Sequence, residues 1–373
     1  MKNVVALIDL HNSPELGLIT EKRPLASTTV LGRYAFIDFV LSNLTNSGID
    51  DIGILIKNYS RSVIKHIGNE NTYLKNSKTG FLNFMINEKG IHNPVYNTDL
   101  NNVKENDYFL YDSNCKYVLI APVGFVAKID YEEIINKHIE SGKALSIVYS
   151  NVKNAGKDFV GLNKIVVDNL GRVQKVEPVS DVDEDCSVGL KTFIIDKEFF
   201  KDALMKSKNI SSIVTIEELL SKHMHFVDGI NAIKFDGYFK YFRSMKSYFD
   251  YSLENKDMLY EDKNPLFSND WKFFTRTHDT CPAIYGENSE VKDSIVANGC
   301  YIQGKVSGSL LSRNVIVEEG AIIENSIIFS DCVIKKGVHL KNVIADKLCV
   351  FQSKEEVFGT KDEPLYIPQG EII

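Results

Sequence analysis

The chain has 373 residues, of which 44% are apolar and 25% charged, and its formal net charge is −7. That length suits about two domains, and the composition excludes wholesale disorder, collagen and a membrane bundle. An acidic balance argues against nucleic acid as the main partner, while leaving room for a local anion site. No apolar run approaches the roughly 20 residues that span a bilayer. Met1-Lys2-Asn3 leads into a strand pattern without signal-peptide features, which predicts a cytoplasmic protein. The six cysteines (Cys115, Cys186, Cys281, Cys300, Cys332 and Cys349) form no CxxC pair and are expected to be reduced apolar residues.

Val4-Val5-Ala6-Leu7-Ile8 reads as a buried strand. In α/β domains such a strand, followed by a Gly-rich turn and a helix, commonly cradles a nucleotide phosphate. Here the turn is Asp9-Leu10-His11-Asn12-Ser13-Pro14-Glu15, without one glycine. Bulky side chains block the approach of backbone N–H groups to phosphate, and Glu15 adds negative charge where an anion would sit.

Further strands are predicted at Ile52–Ile56, Tyr117–Ile120 and Leu145–Tyr149, and helices at Phe36–Ser47 and Tyr131–Ser141. This βαβ rhythm predicts a mixed, Rossmann-like sheet with helices on both faces. Residues 69–114 are Asn-rich and polar, and are expected to form a long excursion with little regular structure. A hairpin is expected around Asp168–Arg172. The acidic run Asp181–Asp185 reads as a solvated loop, since no ligand spacing flanks it. Ile213–Lys222 reads as a helix and His223-Met224-His225 as strand-like alternation.

Met245–Tyr260 reads as a connecting helix, followed by an irregular linker to Cys281-Pro282. Beyond it Val315, Ala321, Ile327 and Val333 recur every six residues, as do Ile316, Ile322, Ile328, Ile334 and Leu340. Hexapeptide periodicity of this kind predicts a left-handed parallel β-helix. The predicted division is an α/β domain over 1–244, a connecting helix and linker over 245–283, and a β-helix domain over 284–373.

Six stretches stand out: Leu18-Ile19-Thr20-Glu21-Lys22-Arg23, Gly32 to Asn43, Asn46-Ser47-Gly48-Ile49, Lys128-Ile129-Asp130-Tyr131, Ser187-Val188-Gly189-Leu190 and Leu311-Ser312-Arg313-Asn314-Val315. In them the chain resembles the glucose-1-phosphate adenylyltransferase (ADP-glucose pyrophosphorylase) family. The resemblance implies a nucleotidyltransferase-like domain followed by the β-helix. It also shows departures. Active members end their Gly-rich turn in an Arg, where this chain has Glu15; a following Lys falls at Leu25. The two Asp residues that hold the catalytic Mg²⁺ fall at Gly124 and Tyr241, and the sugar-phosphate Lys at Glu177. Nucleotidyl transfer depends on positioning and charge neutralisation, and neither a glycine nor a phenol replaces a metal-binding carboxylate.

The likeness is therefore to the non-catalytic second type of subunit found in Gram-positive bacteria, which modulates a catalytic partner. It implies no resident metal, a heterotetramer with the catalytic adenylyltransferase subunit, and homo-oligomers in isolation. Lys22, Arg23 and Arg313 match basic residues near an effector-phosphate site, against the plainer reading of Lys22 and Arg23 as surface charges. Arg33 and Asp38 are expected to pair structurally. Three alternatives stay open: an active sugar-phosphate nucleotidyltransferase using Mg²⁺ in a rebuilt site, an acyltransferase built on the repeats around His339, and a sugar-phosphate or nucleotide sensor without an enzyme partner.

Overall fold

The computed structural model describes residues 3–68, 72–74, 80–223, 229–255, 265–277 and 279–373. The Val4–Asp9 strand is buried along its whole length because alternate side chains enter different cores. Val4, Ala6 and Ile8 join one cluster, and Val5 and Leu7 join another on the opposite face. A strand covered on both sides has no polar face to present, so it reads as an unbroken apolar run.

This strand is central in a nine-stranded mixed sheet. Asp51–Ile56 and Tyr117–Pro122 flank it in parallel. Cys186–Asp196 then pairs antiparallel with Tyr117–Pro122 and with Leu145–Val152. Asn231–Lys234 adds in parallel at that side, and the expected hairpin forms from Asn163–Val167 and Val173–Pro178. The two expected helices are present as Phe36–Asn46 and Tyr131–Ser141. The second begins where the Asp130 carboxylate accepts the N–H groups of Glu132 and Glu133, and ends at Gly142 with φ 60°.

Residues 81–111 differ from the expected excursion. Phe81–Ile86 extends the sheet in parallel beside Asp51–Ile56, and helices follow at Glu88–His92, Asp99–Glu105 and Tyr108–Tyr111. The expected Ile213–Lys222 helix shrinks to Ile216–Glu218 plus a wider helical turn, Leu219–His223. His223 is thus helical rather than extended, while Met224 and His225 lie outside the described residues. The connecting helix is Met245–Glu254, and its expected end at Tyr260 also lies outside them. The linker after it is a strap rather than free chain. Trp271 donates to Asn43, Phe274 N–H donates to Ser42, and Phe267 and Phe273 pack on Tyr34 and Phe39.

The C-terminal part forms three parallel five-stranded sheets, the arrangement of a hexapeptide-repeat β-helix. One turn advances 17 residues from Ile284 to Tyr301 and from Ile316 to Val333, but 15 from Tyr301 to Ile316. These turns therefore drop at least one residue from a strict six-residue count, whereas the last, from Val343 to Leu365, advances 22. The inward column is Val317, Ile323, Ile328, Ile334, Leu340, Ala345 and Phe351. Ile316 is 38% exposed, and Ile327 enters the core shared with the α/β part. Ile295, Leu310, Ile327 and Ile344 share a core with the first strand. Gly32, at φ 76°, permits the contact: a Cβ there would lie 3.3 Å from Leu310.

Candidate functional site

The turn after the first strand closes on itself. Asp9 accepts from the His11 N–H and the Asn12 amide, both at 2.8 Å, and the same amide reaches Asp99 at 2.8 Å. His11 Nδ1 lies 3.2 Å from the Asn97 carbonyl, which must accept, and Nε2 lies 3.0 Å from the Asn102 amide, which donates. The ring is neutral in this arrangement, and burial lowers its pKa. Asp99 is 1% exposed and accepts from the N–H groups of Leu100 and Ile216. Burial, with Asp9 close by, pushes its carboxyl well above the usual range.

The cradle position is thereby occupied by the chain's own side chains. The void left between Leu10, Pro14, Leu25 and Tyr59 is about 80 Å³, against the roughly 300–1,000 Å³ of ordinary ligand pockets. Leu25 is core, while Glu15 is exposed. Asp99 and Asn102 were missed in the sequence. Thr98 capping Asn101 N–H is a legible helix start, but nothing local says that the helix plugs a distant turn.

The two positions matching the metal carboxylates are brought together, but not as a metal site. Gly124 and Tyr241 lie at the joined ends of strands in which Tyr241 pairs with Phe125. A Cβ at Gly124 would stand 2.9 Å from Pro14 Cδ, so the turn fills the space that a carboxylate would need. Tyr241 packs with Phe125 and Phe159, and burial pushes its hydroxyl up to about 12, so the phenol stays neutral. These residues do not fit Mg²⁺. Among the described residues no group of three His, Cys, Asp or Glu side chains is set to hold a metal. Glu177 pairs with Lys175 at 2.6 Å. His339 lies in a sheet strand, 3.0 Å from Glu324, rather than in a loop.

A second site is open and basic. A cavity of about 340 Å³ lies between the α/β part and the β-helix. Lys22, Arg23 and Arg313, singled out in the sequence, all line it. Arg33, Lys65, His66, Arg276 and Lys347 join them, with Asp331 the one carboxylate at its wall among the described residues. Lys22 is exposed, but Arg23 is buried, so it is not the surface charge of the plainer reading.

Arg23 donates to Asp346 at 2.5 Å, and its other terminal nitrogen has no hydrogen-bond partner among the described residues; neither has Arg313 Nε. Burial, reinforced by Arg33 and Arg276, pulls the Arg313 pKa down, and burial beside Arg23 does the same to Lys347. Arg33 does not pair with Asp38 as expected. It lies over the Tyr34 ring, while Asp38 accepts the Ala35 N–H and the Tyr73 hydroxyl and lies 2.7 Å from His66 Nε2. A buried cation, Arg23, and a half-buried one, Arg313, each with a donor left over, are what an anion would satisfy.

The Nucleotidyl transferase family model matches residues 16–178, and a GlmU-like C-terminal hexapeptide model matches residues 280–363. A "Glucose-1-phosphate adenylyltransferase" of Fervidobacterium nodosum is 29% identical over 92% of this chain and 83% of its own length. One of Clostridium perfringens is 26% identical, over 97% of this chain and 96% of its own. Over nearly its whole length the chain is thus similar to proteins of that name. The plugged turn ends at Glu15, just before the Nucleotidyl transferase match begins, and Arg313 lies in the hexapeptide match. No described helix is long and apolar enough to cross a membrane.

Proposed function

We propose that this chain is a catalytically silent, regulatory subunit of a glucose-1-phosphate adenylyltransferase, modulating ADP-glucose synthesis for glycogen through a partner. The observation that carries it is the self-filled turn, in which Pro14 occupies the space beside Gly124. Loss of one preorganised donor at a transfer site costs about 10²–10³ in rate, and here the metal carboxylates and the cradle are all replaced. The basic cavity takes a phosphorylated metabolite, with Lys22, Arg23 and Arg313 as its anion contacts. Binding there acts on the partner by favouring one of its states over another.

The test is turnover of ATP and glucose 1-phosphate with Mg²⁺, by this chain alone, by the catalytic subunit alone, and by both together. The expected result is none from the isolated chain and a changed KM or kcat in the mixture. Robust turnover by the isolated chain overturns the proposal. One observation favours a second reading, an active transferase: the relatives that match are named as enzymes. Titration with ATP and Mg²⁺ separates the two, since the filled turn leaves no room for a triphosphate.

A further inference from the structure

His66 sits in the wall of the basic cavity, in the last turn of the Ser60–Ile67 helix, and its two ring nitrogens have different surroundings. Nε2 lies 2.7 Å from Asp38 Oδ1, and Asp38 is fully buried on the Phe36–Asn46 helix. The same Oδ1 takes the Tyr73 hydroxyl at 2.8 Å, and Oδ2 takes the Ala35 N–H at 2.8 Å. Burial, reinforced by Asp38, pushes the Tyr73 phenol up, so it keeps its proton and donates. A carboxylate only accepts, so Nε2 carries a proton as well. Nδ1 makes no hydrogen bond among the described residues and is not sealed from solvent. The side chain keeps 18% of its surface exposed, on the cavity that it lines.

With Nε2 committed to Asp38, Nδ1 of the neutral ring is a bare acceptor. The charged groups sharing the cavity with it are Arg33, Lys65, Arg276 and Arg313, together with Lys22, Arg23, Lys347 and the Asp331 carboxylate. A second ring proton adds one more cation to this set, and the others oppose it while no anion is present. Asp38 favours the imidazolium with or without a ligand, so it does not itself link protonation to binding. An anion changes the balance. Its oxygens are acceptors, as is the bare Nδ1, so the two repel unless the ring takes a second proton. Once protonated, Nδ1 donates a charge-assisted hydrogen bond.

We propose that His66 is a further contact of the bound anion and takes up a proton as the anion enters. The inference rests on the reading of this cavity as an anion site and adds regulation to it, since the site then answers to pH as well as to ligand. Linkage is reciprocal: an anion that favours the imidazolium binds more tightly where the ring is already charged. Affinity is therefore greatest on the acidic side of the imidazole range and falls as pH rises through it.

Isothermal titration of the full chain with sulfate, which stays doubly charged throughout, tests this from about pH 5.5 to about pH 8. Sulfate affinity is expected to weaken as pH rises, by up to about tenfold per pH unit for one linked proton. Titrations in two buffers of different ionisation enthalpy count the protons, and uptake of up to about one is expected. His66→Gln still offers an amide donor to Asp38 but has no titrating nitrogen. It is expected to bind sulfate with an affinity independent of pH and without proton uptake. His66→Lys, with a fixed charge, is expected to give the same flat profile, and serves if the Gln variant does not fold. A merely structural role for His66 leaves the pH slope in place. Equal slopes in wild type and a folded variant overturn the proposal, and so does wild-type binding without proton uptake. Absence of sulfate binding to the wild type at every pH overturns the anion-site reading too, and only that outcome does.

Discussion

At the scale of the residue, Arg23 joins the two halves and also faces the cavity. Its partner Asp346 is 1% exposed and accepts the Tyr366 hydroxyl as well, while the guanidinium lies over the Phe329 ring. Removing the guanidinium strands a buried carboxylate, and breaking such a pair from one side costs about 3–5 kcal/mol. Urea melts of Arg23→Met, which keeps the apolar stem, should show a loss of that size with the m-value unchanged. His11 carries a different signature. Its pKa is lowered in the fold, so its stabilisation is complete above the unfolded value of 6.5 and is lost as pH falls through the folded value. Thermal melts should show stability declining from neutral toward acidic pH. His11→Gln should flatten that decline by up to about 1.4 kcal/mol per pH unit.

At the scale of the element, the first turn and the Asp99–Glu105 helix form one plug, and the plug explains why a carboxylate cannot simply be restored. Gly124→Asp forces a side chain onto Pro14, an overpacking that costs about 1–3 kcal/mol. The expected outcome is a lowered melting temperature that Mg²⁺ does not raise, with the cost relieved when Pro14→Gly is added. A Mg²⁺-dependent rise in the single variant would contradict the filled turn. The departures themselves were legible: Glu15, Gly124 and Tyr241 stand in the sequence as wrong residue types. What fills the space was not. Pro14 and Asp99 meet their partners across the fold, and the Asn-rich composition of residues 81–111 hid a strand and three helices. Asn87, Asn93 and Thr98 act there as caps, which look like loop residues when read one at a time.

At the scale of the whole molecule, the two halves meet through an apolar face lined by a basic cavity, so a ligand in that cavity links them. The α/β plan and the repeats were legible because their apolar patterns are local. The cavity was only half legible: Lys22, Arg23 and Arg313 could be named, whereas Lys65, Arg276 and Lys347 come from segments whose meeting is set by the docking. Burial, with Arg33 and Arg276 adding to it, disfavours the charged Arg313 when no anion is bound, as its lowered pKa indicates. Arg313→Met should therefore leave the melting temperature in low salt unchanged or raise it. Wild-type protein should gain stability with added inorganic phosphate, by about 2.7 kcal/mol at a hundred times its dissociation constant. In Arg313→Met that gain should shrink severalfold, although the baseline fold is as stable or more so. A full phosphate-induced shift in the variant would remove Arg313 from the anion site. A fall in the baseline would mean instead that the guanidinium is held by contacts within the protein.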